Sequence, residues 1–425
     1  MANKEFLMTS IKTIKPLALA LMLTALPGAA LAQAQLACGG VLLDTCPTPF
    51  DKTLPAAKEM LTWDRADRVI GFRNDYRNYA GDVFHHGASA ALQQADKPLT
   101  DVSYTVNGHT WNLQDYLKRQ NVTGFLVLKE GKIAYKYLGA GNSDTTLWTS
   151  RSVGKAVVST LVGIAIQQGK IRSLDDLVTD YEPDLKGTAW EGVTLRQLIQ
   201  HTSGVEWNED YTNPQSHFAR LTQCEAQPGA YDCVSKIVAS LKRAHPAGEQ
   251  WSYSSGGAWL LGDIVERATG MPLAAWLEQT LWRPGGMAQD GVWHAYQQGK
   301  HDVGAHGFNA TLEDWGRFGE FVARDGRLAN GKALVPDGWF DMASAWTQAL
   351  PIGNGTLGGM IYGKVKEETV SLNHDELWTG HPKNTIRPGS LEAFQKARAL
   401  ALDEKLRESQ DIIESDFMST WSQAY

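Results

Sequence analysis

One stretch governs how this chain can be organised: Trp148-Thr149-Ser150-Arg151-Ser152-Val153-Gly154-Lys155, which runs directly into an apolar segment, Ala156 to Ile166. As a helix, that segment puts Ser152 in its first turn and Lys155 one turn on, on the same face. A lysine held in apolar surroundings is pushed toward its neutral amine, and a neutral amine can take a serine proton. The helix N-terminus adds free backbone N–H groups and a partial positive charge, and both favour a developing oxyanion. The stretch reads as a Ser-x-x-Lys nucleophile. The plain alternative is a helix start with a surface lysine, so the surrounding sequence has to decide.

Upstream, Thr123 to Leu128, Lys129-Glu130-Gly131-Lys132 and Ile133 to Tyr137 spell strand, tight turn, strand. A hairpin leading into this helix predicts an antiparallel sheet backed by it. Trp111 to Gln120 is expected to be helical. Downstream, Gln168-Gly169 stops the helix, and Thr194 to Val205 reads as a short amphipathic helix ending in a turn. Pro246 to Gly257 reads as a loop into a helix from Ala258 to Thr269, closed by Gly270, and Thr311 caps a further helix from Leu312 to Arg324. Residues 33–110 read as irregular, and Phe72-Arg73-Asn74-Asp75-Tyr76-Arg77-Asn78-Tyr79 yields no chemistry by itself.

With 43% hydrophobic residues and 15 Trp, the 425-residue chain has ample material for a core. Its formal charge of -7, without a basic cluster, argues against nucleic acid as a partner. At the N-terminus, Lys4, Lys12 and Lys15 precede an apolar run, Leu17 to Leu26, and Ala30-Leu31-Ala32 offers small residues for cleavage before Gln33. The run is short for a membrane span. Residues 1–32 are expected to be a signal peptide, giving a periplasmic or secreted protein without stable membrane insertion. Its loss removes three Lys and one Glu, taking the charge from -7 to -9. Four cysteines fall in two close pairs, Cys38 with Cys46 and Cys224 with Cys233. In an oxidising compartment two local disulfides are the expectation. Neither pair has the short spacing of a zinc site, and no metal is expected.

From about Thr123 to Phe340 the chain resembles the serine β-lactamase and penicillin-binding-protein superfamily, in particular its esterase and 6-aminohexanoate-dimer-hydrolase-like branch. The resemblance is carried by Trp148 to Lys155, Thr194 to Tyr211, Trp251 to Ser255 with Leu260-Leu261-Gly262, Leu281 to Met287, and Gly307 to Thr311 with Asp314 to Gly319. It implies an α+β fold, an antiparallel sheet flanked by helices with an all-helical subdomain. The β-lactamase-like domain is expected over residues 33–344. It also implies a serine hydrolase cleaving a carboxylic ester or linear amide through an acyl-enzyme, with no metal or organic cofactor and a small-molecule substrate. A β-lactamase or D-Ala-D-Ala peptidase is the alternative. Ser152 is then the nucleophile, Lys155 its base, and Tyr253 shares proton transfer. Ser255 stands where penicillin-binding enzymes often carry Asn. Tyr211 lies on a loop that the family places over the cleft. His306 sits on a glycine-rich turn, so Tyr211, Ser255 and His306 are candidate substrate contacts.

The family's third motif, a Lys/His/Trp-x-Gly segment on a later strand, is not recognisable past Phe340. Trp346 to Met360 and Val370 to Gly380 instead resemble the start of the N-terminal β-sandwich of the bacterial α-L-fucosidase family. Residues 345–425 are thus expected to form a separate fragment, with a hairpin at Met360 to Val365 and Glu368 to Leu372 and a helix from Leu391. An active site missing one oxyanion donor loses about 10²–10³ in rate, so a catalytically impaired fusion or binding protein is the third reading. A further expectation is that the tail hairpin docks on the vacated sheet edge.

Overall fold

The computed structural model describes residues 36–38, 41–43, 53–56, nearly all of 60–343, and then 350–353, 357–361, 370–374, 390–402 and a few single residues beyond. The expected signal peptide, and the Cys38 and Cys46 side chains, lie outside the described residues. The chain divides into two compact units, 1–38 with 42–46, and 39–41 with 47–425. Of the first, the strand Leu36–Cys38 is described. The rest concerns the second.

The first α-helix among the described residues, α1 (Arg65–Arg73), starts where the Asp64 carboxylate accepts the Asp67 N–H. A 3₁₀ turn, Asp75–Arg77, follows, then strand β1 (Gly81–Phe84). This segment, expected to be irregular, supplies a strand to the central sheet. A small hairpin, β2 (Ser103–Val106) and β3 (His109–Asn112), leads into α2 (Leu113–Arg119) through an Asn112/Asp115 capping box. The predicted strand-turn-strand is present as β4 (Gly124–Lys129) and β5 (Lys132–Leu138), with Glu130 and Gly131 at positive φ in the turn. Among the described residues these two strands form their own sheet rather than joining the central one.

The central sheet contains β6 (Leu147–Thr149) and three later strands, reached after a helical stretch. Besides shorter turns, that stretch includes α3 (Gly154–Gln167), α4 (Leu195–Ile199), α5 (His217–Glu225), α6 (Ala230–Ser240), α7 (Ser255–Thr269) and α8 (Leu273–Leu277). The chain returns to the sheet as β7 (Gly291–Gln297), β8 (His301–Asp302) and β9 (Phe308–Thr311). All pairings are antiparallel. β7 pairs with β8, β9 and β1, and β9 bridges β7 to β6. β6 delivers the chain straight into the turn that carries Ser152.

The apolar run is α3, and it is wrapped on most of its surface: Val157, Val158, Leu161, Val162, Ile164 and Ala165 are all fully buried. They share one core with Ala258, Leu261, Ile264, Trp276, Trp282 and Trp339. Burial of aliphatic side chains of this size stabilises by about 1.5–3 kcal/mol each. α7 begins three residues earlier than expected, because the Ser254 hydroxyl accepts the Gly257 N–H and caps it. Gly270 ends it in the left-handed conformation, as predicted. Thr311 caps α9 (Leu312–Ala323), which is followed by α10 (Trp339–Ala343).

In the tail, β10 (Leu350–Gly353), β11 (Leu357–Ile361) and β12 (Val370–His374) form an antiparallel three-stranded sheet in that order, before α11 (Ser390–Leu402). The expected hairpin thus gains a preceding strand, its first strand starts three residues earlier than expected, and its second starts two residues later. Among the described residues its strands pair with one another and not with the central sheet or β4–β5. The expected docking by strand pairing is not present among them.

Candidate active site

Ser152 lies in a single 3₁₀ turn, Arg151–Val153, that tightens the entry to α3. It is exposed, whereas Lys155 is half-buried on the first turn of α3. Their expected juxtaposition is present: Lys155 Nζ is 3.1 Å from Ser152 Oγ. The same Nζ donates to the Ala305 carbonyl at 2.9 Å and stands 5.1 Å from the centre of the Tyr253 ring. One carbonyl and one aromatic face thus fix the lysine at hydrogen-bond distance from the serine.

Tyr253 is brought to this point from the loop before α7. Its ring stacks on His201, centroids 5.0 Å apart. His201 accepts the Ser254 N–H on Nδ1, and its carbonyl accepts the Ser252 N–H. Desolvation and, second, the Lys155 charge push the His201 imidazole down to about 3. A neutral His201 keeps Nδ1 as an acceptor, which holds the Tyr253 loop in place.

The other three residues sit differently from their expected roles. Ser255 is buried in the first turn of α7, and its hydroxyl donates to Glu209 Oε1 at 2.8 Å, so it faces Glu209 and not Lys155. Tyr211 is 46% exposed, edge-on to Phe218, with its hydroxyl donating to the same Glu209 oxygen at 3.0 Å. His306 turns toward Glu225, with Nε2 at 3.1 Å from both carboxylate oxygens. Burial pushes the Glu225 carboxyl up. His306 and the Tyr296 hydroxyl more than offset that, leaving it below the usual carboxylate range. Ala305, next to His306, still faces Lys155.

Glu209, two residues before Tyr211 on the same loop, is an organising residue that the sequence did not single out. It is 3% exposed and accepts from Trp207 Nε1, Tyr211 Oη, and both the N–H and Oγ of Ser255. The partners lie up to 46 residues away, and nothing local announces them. The second omission is Asp75, fully buried, which accepts from Thr149 Oγ1 at 2.9 Å and from Arg151 Nη2 at 2.6 Å.

The expected Cys224–Cys233 disulfide is formed and ties α5 to α6. Asp263, Glu266 and His301 bring ligand atoms within 4.8 Å of one another, the only such group found among the described residues. Each is already engaged within the protein. Tyr231 Oη and Arg267 hold Asp263, the Leu273 and Asp302 N–H groups hold Glu266, and His301 Nδ1 meets Glu266 at 3.1 Å. Surface hollows of about 600 and 560 Å³ open beside the disulfide and beside α2, and neither is lined by Ser152, Lys155 or Tyr253.

Comparison with known proteins agrees with this architecture. A solved structure described as a 6-aminohexanoate-dimer hydrolase of Bacillus anthracis superposes with a TM-score of 0.63 at 17% identity, over 85% of this chain and 99% of that one. Among curated proteins, a 6-aminohexanoate-dimer hydrolase of Paenarthrobacter ureafaciens is 27% identical over 238 residues, 55% of this chain and 60% of that protein. An esterase of Burkholderia gladioli is 28% identical over 180 residues, 39% of this chain and 45% of that protein. The chain thus spans roughly half to three fifths of the length of these curated relatives. Alpha-L-fucosidase 2 of Arabidopsis thaliana matches 60 residues at 43% identity, 14% of this chain and 7% of that protein. The Beta-lactamase family model matches residues 112–382, past the point where the resemblance was expected to stop and across the three tail strands. The match covers well over half of the sequence, and the chain belongs to the beta-lactamase family.

Proposed function

We propose that this protein is an exported serine hydrolase that cleaves a small carboxylic ester or linear amide through an acyl-enzyme on Ser152. The observation that carries the reading is the 3.1 Å approach of Lys155 Nζ to Ser152 Oγ, with Nζ oriented by the Ala305 carbonyl. In its amine form Lys155 spends one N–H on Ala305 and keeps its lone pair for the serine proton. Ser152 Oγ then bonds to the substrate carbonyl carbon. The Ser152 N–H at the α3 entry stabilises the oxyanion. As the carbon–oxygen or carbon–nitrogen bond breaks, the leaving group receives a proton from the Lys155–Tyr253 pair. Water, deprotonated by the same pair, then bonds to the acyl carbon, the bond to Ser152 Oγ breaks, and the proton passes to Oγ, releasing the acid and restoring the serine.

The names of two relatives, a 6-aminohexanoate-dimer hydrolase and an esterase, support this substrate class. The Cys224–Cys233 disulfide supports export to an oxidising compartment. The Ser255 hydroxyl, held by Glu209, is not free to serve a β-lactam carboxylate, which favours ester or amide over β-lactam turnover. Assaying p-nitrophenyl esters, a linear aminohexanoate amide and nitrocefin, with Ser152→Ala as control, tests the reading. Ester or amide turnover lost in Ser152→Ala is expected. Nitrocefin as the preferred substrate would replace it with the β-lactamase alternative, and no turnover of any would favour the catalytically impaired reading.

A further inference from the structure

The segment Phe72 to Tyr79 lies ahead of the family match and has no role in the reading above. It nevertheless packs behind the nucleophile. Asp75 is 0% exposed, and its two carboxylate oxygens go to different residues: Oδ2 accepts from Thr149, the last residue of β6, and Oδ1 from the guanidinium of Arg151. These two residues straddle Ser150, whose own N–H is fixed by the Phe308 carbonyl at 2.7 Å. The chain is thus pinned at three consecutive positions immediately before Ser152.

The pinning matters because of the backbone there. Arg151 has φ +43°, in the left-handed region, with Ser152 next in sequence. A non-glycine residue stays in that region only when its surroundings hold it. The Arg151 side chain is 28% exposed, so once released it reaches water readily and the backbone is free to relax. The anchor itself is well set. Arg73 ties the end of α1 to the Ala140 carbonyl at 2.7 Å and to Asn142, the Asn74 amide caps the Ile70 carbonyl, and the Phe72 ring lies 5.6 Å from the Arg151 guanidinium carbon.

We infer that Asp75 is a positioning residue for the nucleophile, acting through Arg151 and Thr149 to hold Ser152 Oγ at the distance at which Lys155 can deprotonate it. The inference rests on the reading of Ser152 as nucleophile. A displacement of about 1 Å at a reacting atom costs up to about a hundredfold in rate, while substrate binding can be left nearly intact.

The test is the rate of Ser152 labelling by a fluorophosphonate probe, alongside kcat and KM for a p-nitrophenyl ester, in the full chain and in Asp75→Asn, Arg151→Met and the double variant. Each single variant should label at least about tenfold more slowly and lose kcat to match, with KM within about twofold. The double variant should be no slower than the worse single one, because both break the same link. Circular dichroism checks that each is folded. Should Asp75→Asn fail to fold, Arg151→Met, whose side chain is partly exposed, carries the test alone. Labelling at the parental rate in a folded single variant, effects that multiply in the double variant, or a rise in KM with kcat unchanged would each overturn the inference. Labelling that depends on Ser152 but not on Asp75 removes only the positioning role. Labelling that survives Ser152→Ala removes the nucleophile reading, and this inference with it.

Discussion

His294 offers a quantitative test of the buried network behind the site. It is 0% exposed, on β7, and neither ring nitrogen has a hydrogen-bond partner among the described residues. Its nearest carboxylate oxygen is Asp75 Oδ2, 3.6 Å from Nε2. Burial dominates, and the imidazole is pushed down to about 4, with Asp75 opposing the shift and His306 and Arg151 adding to it. A base whose folded pKa is depressed takes its proton in the unfolded state first. Its contribution to stability is therefore present above the unfolded value of about 6.5 and is lost as pH falls toward 4. The full difference amounts to about 3.4 kcal/mol, of which about 2 kcal/mol is lost between pH 7 and pH 5. His294→Leu removes this linkage and gives up no hydrogen bond. Its stability at pH 7 should stay within about 1 kcal/mol of the parent. At pH 5 it should exceed the parent by about 2 kcal/mol relative to that baseline. Urea unfolding of both proteins at the two pH values measures the difference, and other titrating groups cancel between them. Parallel pH dependences would refute the assignment of His294 as a buried neutral base.

Two further perturbations probe the supports of the site. Glu209→Met removes both acceptor oxygens, so unpairing the Ser255 N–H and hydroxyl, together with Trp207 Nε1, should cost about 2–5 kcal/mol in denaturant unfolding; a loss under about 1 kcal/mol would mean that Glu209 is not the anchor. Gly262→Ala places a Cβ 2.7 Å from the Gly304 Cα, one residue before Ala305. The forced separation of α7 from this turn should cost about 1–3 kcal/mol and, by moving the Ala305 carbonyl off Lys155, lower kcat; a thermal scan and an ester assay check both.

What the sequence made legible was local. The Ser152–Lys155 spacing needs only helical geometry, the hairpin at 124–138 follows from alternation around Glu130-Gly131, and Thr311 and Gly270 are helix-end signals that act within about one turn. What it hid was long-range. Asp75 reaches Arg151 across 76 residues and Glu209 reaches Ser255 across 46, and neither is marked by its neighbours. The partner of His306 was not legible, because a glycine-rich turn can present its side chain to either face, and Nε2 meets Glu225 from 81 residues away. The start of α7 was missed because Gly256 and Gly257 looked like loop residues. Gly256 is instead a packing requirement, since a Cβ there would meet the Trp207 ring at 2.5 Å. The family's third motif was not recognised, yet three antiparallel strands occur in that part of the chain and within the family match.

The central claim is that Lys155 and Ser152 form a working nucleophile. It is tested most directly by trapping the serine with a fluorophosphonate and mapping the adduct by peptide mass spectrometry, in the parent and in Lys155→Ala. The account predicts a single adduct on the peptide containing Ser152, formed at least about a hundredfold more slowly without Lys155. An adduct on another residue, or one on Ser152 that forms at an unchanged rate in Lys155→Ala, would contradict it.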